Sequence, residues 1–149
     1  MPTPKTSLRV SVAAIAAAML APASSLLAGE CDVVDFLDQF TTSGTFPAGA
    51  ECSAFTTSLA TTGTSCFWSH PYRSTLALDH ASELWATLTK CRVGRQMGQD
   101  DQVNHPDSYN LKEWVHEEDV YAVSVKDKGG QNRTFVFLRV EPGQQPSKN

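Results

Sequence analysis

Four histidines, two acidic stretches and one aromatic segment carry most of the chemistry this sequence offers. The histidines are His70, His80, His105 and His116. Nucleophilic catalysis needs a Ser or Cys within hydrogen-bond reach of a base that a third group orients. Ser69-His70 and Asp79-His80 are neighbours in the chain, but adjacent residues of a strand point to opposite faces. Adjacency therefore assembles no triad, and the spacing of the four histidines indicates no metal site. Glu117-Glu118-Asp119 would serve hydrolysis only if two carboxylates flanked a cleft; between two strands they read as a solvated charge run. Asp100-Asp101-Gln102-Val103-Asn104 and Asp107 offer oxygen ligands without the spacing or the glycine of a calcium loop. The chain has no glycine-rich phosphate loop, no G-x-S-x-G and no H-E-x-x-H. No cofactor is expected.

The most distinctive stretch is Phe67-Trp68-Ser69-His70-Pro71-Tyr72-Arg73. Aromatic residues and arginine dominate binding hot spots, and a loop between regular elements is where a rigid scaffold presents a site. Trp68, His70, Tyr72 and Arg73 are the binding residues this segment predicts. His105-Pro106-Asp107-Ser108-Tyr109 is a second, weaker segment of the same kind.

Cys31, Cys52, Cys66 and Cys91 are the four cysteines. Structural zinc sites place two cysteines about two to four residues apart, whereas 20, 13 and 24 residues separate these. An even number in an oxidising compartment reads as two disulfides with three connectivities. If a strand over 65–69 runs antiparallel to the following helix, Cys66 and Cys91 lie at one end. The pairing expected is then Cys66 with Cys91 and Cys31 with Cys52.

An oxidising compartment is what residues 1–28 predict. Lys5 and Arg9 precede an apolar run from Val10 to Leu20, and no acidic residue occurs before Glu30. The run is shorter than the about 20 residues that span a bilayer and has the flanks of a secretory signal peptide. Ala21-Pro22-Ala23 and Leu26-Leu27-Ala28 are both exits for cleavage, the second being preferred. Glu30, directly before Cys31, argues against lipid attachment there. Removing residues 1–28 takes away two of the 12 basic residues and none of the 16 acidic ones, leaving a net charge of −6. Such a chain is unsuited to nucleic acid or anionic lipid as its main partner, and it has no second apolar segment long enough to span a membrane.

The elements that must position these residues follow from periodicity. Residues 31–41 read as a short helix with Val33, Leu37 and Phe40 on one face, Val34 beside them, and Asp32 and Asp35 in the first turn, where the helix dipole favours them. A hairpin is predicted from 53–60 and 65–69 around Thr62-Gly63-Thr64. Ser74 or Thr75 caps a second helix to about Lys90, with Ala77, Ala81, Leu84, Leu88 and Cys91 as its stripe and Trp85 widening it. Residues 92–108 read as a long polar loop. Strands over 109–115, 119–127 and 132–140 follow, the last two joined at Gly129-Gly130. That turn sets Val125 opposite Thr134, Val123 opposite Val136 and Tyr121 opposite Leu138. Ala122, Phe135 and Phe137 fall on the other face, so each face should be at least partly covered. Residues 141–149 have nothing to bury and read as a disordered tail.

The expected architecture is a cleaved signal peptide, one α+β domain over 29–140 with two helices on an antiparallel sheet, and the tail. The expected function is a small, exported, non-enzymatic binding or accessory protein of the bacterial cell envelope, periplasmic or secreted, with its protein or small-molecule partner undefined. The alternatives are a small exported hydrolase using His70 or His80 with a carboxylate, and a structural subunit of an envelope assembly.

Overall fold

The computed structural model describes residues 29–40, 46–58, 60–103 and 109–143, the side chains of 99–103 excepted. The predicted signal peptide and residues 144–149 of the predicted tail lie outside the described residues. Two helices pack on one face of a six-stranded, fully antiparallel sheet. The elements are α1 (Asp32–Asp38), β1 (Glu51–Thr56), β2 (Thr62–Pro71), α2 (Thr75–Cys91), β3 (Arg95–Val103), β4 (Tyr109–His116), β5 (Asp119–Lys128) and β6 (Arg133–Glu141). The strand order is β1-β2-β6-β5-β4-β3. The α+β architecture expected from the sequence is the one found, and none of the described helices is long and apolar enough to cross a membrane.

The helices form where the pattern says. Ser74 caps α2, its hydroxyl accepting from the Ala77 N–H at 3.3 Å. Ala77, Leu84 and Leu88 are buried, and Ala81, Trp85 and Cys91 pack at the edge of the same core. In α1 the buried face is Val34 and Leu37; Val33, expected there, is only partly buried, and Phe40 lies beyond the helix, which ends at Asp38 and not at residue 41. Val34 and Leu37 meet Cys66 and Trp68 of β2, Tyr121 and Val123 of β5, and Val136, Leu138 and Val140 of β6. Alternation along each strand sends these residues to the helix side and their neighbours to the other.

Three expectations are corrected. The β1–β2 turn lies at Thr57–Thr61, where the Thr61 N–H donates to Thr57 Oγ1 at 3.2 Å and Ala60 takes φ +59°. Gly63 therefore belongs to β2; a Cβ there would stand 2.7 Å from the Val140 carbonyl oxygen and 2.6 Å from the Phe55 ring, a close approach that only glycine allows. The β5–β6 connection is a 3₁₀ turn at Gly129–Gln131 closed by Asn132 at φ +51°, so four residues, 129–132, rather than two separate the paired Lys128 and Arg133. Tyr121 consequently pairs with Val140, Val123 with Leu138 and Val125 with Val136. The register moves by two residues, and an even shift leaves every side chain on its predicted face. Finally, residues 95–103 form an edge strand instead of a loop, with a register shift between Met97 and Asp101. Residues 104–108, which include His105 and Asp107, lie outside the described residues.

The disulfides also differ from the expected pairing: Cys31 bonds Cys91, and Cys52 bonds Cys66. The reason is length. From Cys66 to Pro71 the strand advances about 17 Å, whereas the helix from Thr75 to Cys91 advances about 24 Å. Cys91 thus overshoots Cys66 and meets the start of α1, while Cys66 bonds its antiparallel partner on β1.

A candidate cleft beside helix α2

The predicted binding segment is a corner between β2 and α2 that is pinned onto the sheet. Trp68 points into the core, only 7% exposed, and its indole N–H donates to the Ala48 carbonyl at 3.0 Å. It is a core residue and not a surface anchor. Arg73 turns the chain at φ +53°, and its backbone N–H donates to Thr134 Oγ1 at 2.8 Å. Its guanidinium, half exposed, meets the buried Asp127 carboxylate at 3.1 Å; Thr134 Oγ1 donates to the other Asp127 oxygen at 2.5 Å. Arg73 also lies over the half-buried Tyr72 ring at 5.2 Å. These bonds satisfy a buried carboxylate at the sheet end and hold the corner in place.

His70 and His80 meet across this corner, Nε2 to Nδ1 at 3.1 Å, and the His80 ring packs edge-on against Trp68 at 4.8 Å. Nothing in the spacing signals this meeting, because one histidine lies on a strand and the other a turn into the helix. Among the described residues neither imidazole is hydrogen-bonded to a carboxylate, a serine or a cysteine. No group of three or more His, Cys, Asp or Glu able to hold a metal occurs among the described residues. Burial and then the neighbouring His70 lower the His80 pKa below its ordinary 6.5, against a smaller opposing pull from Glu83. The unfolded chain therefore binds more protons than the folded one as pH falls through about 6.5. Thermal stability is expected to fall between pH 7.5 and 5.5, and more steeply than in His80→Gln. Melting curves at pH 7.5, 6.5 and 5.5 check this; parallel curves for the two proteins would contradict it.

A second polar cluster is structural. Arg92, just past α2, donates to Asp35 at 2.8 Å and also bonds Asp38, while the Tyr121 hydroxyl donates to Asp38 at 2.6 Å. Burial works against the Arg92 charge, but its bonds to Asp35, Asp38 and Tyr121 outweigh that and raise its pKa. Burial and the bond to Asp38 raise that of Tyr121. Both groups keep their ordinary neutral-pH forms and tie α1 to α2 and β5. The other predicted acidic run, Glu117-Glu118-Asp119, sits at the β4–β5 turn with Glu117 and Glu118 exposed; Asp119 accepts the Gly143 N–H at 2.9 Å.

Beside α2 the helix and the sheet part to leave a cleft of about 200 Å³. Leu78, Ala81, Ser82 and Trp85 form the helix wall; Val123 and Val125 of β5 and Asn110 and Lys112 of β4 form the sheet wall. The strand register explains the composition: Asn110 pairs with Val125, Lys112 with Val123 and Trp114 with Tyr121, so both polar side chains share the helix-facing phase. Trp85 packs at right angles to Trp114, ring centroids 5.8 Å apart, and the Lys112 ammonium lies 5.7 Å from the Trp85 ring. Leu78, at the rim, is 57% exposed. Ser82 donates its hydroxyl to the Leu78 carbonyl at 2.9 Å, and Asn110 and Lys112 are the other polar residues lining the recess. Neither stands out in the sequence as a site residue. Their alternation with Trp114 is the signal that would have placed them facing the core. No known protein-family model matches the chain, and no curated protein matches it.

Proposed function

We propose that this protein is an exported, non-enzymatic binding domain of the bacterial cell envelope whose ligand is a small, largely apolar anion held in the cleft beside α2. The observation that carries the reading is the cleft's lining: five apolar side chains, Leu78, Ala81, Trp85, Val123 and Val125, with the Ser82 hydroxyl, the Asn110 amide and the Lys112 ammonium. Small-molecule sites are concave and mostly apolar, with a few polar groups fixing orientation. Lys112 favours a carboxylate or similar anion at one end of the ligand, Asn110 can donate to it, and the valines and Trp85 hold an aliphatic or aromatic body. Export is supported by the N-terminal segment and by two disulfides, bonds that persist in oxidising compartments.

Tryptophan fluorescence during titration with octanoate, and in parallel with octylamine, tests the reading. Octanoate is expected to bind saturably and octylamine not to bind. Lys112→Met, which keeps an apolar stem over Trp85, is expected to weaken octanoate at least about tenfold, the scale of one charge-assisted hydrogen bond. Equal affinity for acid and amine, or for wild type and Lys112→Met, would contradict it.

A further inference from the structure

Both helices lie on one side of the sheet, so the opposite face has no described element over it. Its centre is apolar. Phe67 of β2 and Phe135 and Phe137 of β6 pack on one another with centroids 5.6 to 6.3 Å apart. A depression of about 340 Å³ lined by Ser65, Ser124, Phe137 and Arg139, among others, lies beside them. Lys126, Lys128 and Arg133 mark one end of the face; Glu113 and Glu141, both within 3.8 Å of Arg139, mark the other.

We infer that this face is covered by a second copy of the chain, the two sheets stacking through an isologous, two-fold interface. The spacing along β6 is self-complementary about Phe137: Arg133 and Glu141 lie four residues to either side, Phe135 and Arg139 two. A two-fold axis lying in the interface, perpendicular to the strands and passing at Phe137, sets Arg133 against Glu141 of the second copy. It sets Phe135 against Arg139 of the second copy, a cation–π geometry, and Phe137 against itself. On β5 the same axis passes at Ser124, the partner of Phe137, and brings Lys126 over Ala122 of the second copy, beside that copy's Glu113. Ser69 meets Ser65 on β2. Glu51, on the edge strand, meets its own kind, but at the rim, where water screens it.

Area and ring geometry favour this occupant. Six strands about 4.8 Å apart and about 30 Å long present roughly 800 Å², which is about what one partner gives to a stable interface. Facing sheets pack in this way, about 10 Å apart, in sandwiches. The three rings are tilted 40° to 76° to one another. They therefore make a ridged surface suited to interdigitation, not a set of flat platforms on which planar bases stack.

Analytical ultracentrifugation of the oxidised protein from about 1 to 100 µM tests this. A dimer is expected in that range. Arg133→Glu and Glu141→Arg are each expected to raise the dissociation constant about tenfold or more, and the double exchange Arg133→Glu/Glu141→Arg to restore it to within a few-fold of wild type. Lys112→Met, on the other side of the sheet, should leave the dimer unchanged. A monomer at 100 µM, single exchanges without effect, a double exchange no better than the singles, or dissociation caused by Lys112→Met would each overturn the inference.

Discussion

Replacing Cys31 and Cys91 together by serine is expected to destabilise the protein by about 4 kcal/mol, and replacing Cys52 and Cys66 by about 3 kcal/mol. The difference lies in the unfolded chain. The first bond closes a loop with a sequence separation of 60, the second one of 14, and the entropy removed from the unfolded ensemble grows with the logarithm of loop length. The folded state points the same way. Cys31–Cys91 holds α1, a helix of only seven residues, against the end of α2; without it α1 keeps Val34, Leu37 and the Arg92 bridges to Asp35 and Asp38. Cys52–Cys66 joins two residues that the β1–β2 ladder already pairs. Urea unfolding of the two double variants measures the order, and a larger loss from the shorter loop would contradict this assignment of roles.

Trp68→Ala is expected to cost about 3–5 kcal/mol, the range for deleting a buried aromatic side chain. The ring fills the space between β2, His80 and the segment around Ala48, so its removal opens a cavity and leaves the Ala48 carbonyl without its donor. Trp68→Phe, which keeps most of the volume and loses the hydrogen bond, should cost about 1 kcal/mol before any repacking. Calorimetric melting of both variants distinguishes a core tryptophan from a surface anchor: a change below about 1 kcal/mol for Trp68→Ala would put the residue at the surface.

The sequence was most legible where apolar residues recur with one period over many positions. The stripe of α2 runs from Ala77 to Cys91 without interruption, and its cap, Ser74, is a residue type with a single local purpose at that place. The faces of β5 and β6 were legible too, because alternation survives an even error in register; Val123 reached the core although its partner is Leu138 and not Val136. Turn geometry was less legible. Two glycines at 129 and 130 suggest a two-residue hairpin turn, but Asn132 takes the left-handed position and lengthens the connection. Strand β3 carries Arg95, Gln96, Gly98 and Gln102 on the sheet's edge, where backbone pairing to β4 forms the strand without any apolar alternation to announce it.

The candidate site was hidden for a related reason. Composition directs attention to clusters such as Phe67 to Arg73, yet Trp68 serves the core and Arg73 serves Asp127. Lys112 and Asn110 look like ordinary surface residues until the register with Val123 and Val125 puts them on the helix side. Which polar residues face inward is a property of strand phase and of how far the neighbouring helix stands off the sheet. The first can be read from alternation once Trp114 is taken as buried; the second depends on the side chains of two distant segments packing together. The same holds for His70 and His80, ten residues apart in the chain and 3.1 Å apart across the corner.

Amide and indole chemical shifts of the ¹⁵N-labelled protein during titration with octanoate test the binding cleft most directly. Saturable shifts clustered at Ser82, the Trp85 indole, Asn110, Lys112, Val123 and Val125, and lost in Lys112→Met, are the predicted result. Shifts gathered instead on the opposite face around Phe67 and Phe137, or no saturable shifts at all, would contradict a ligand cleft beside α2.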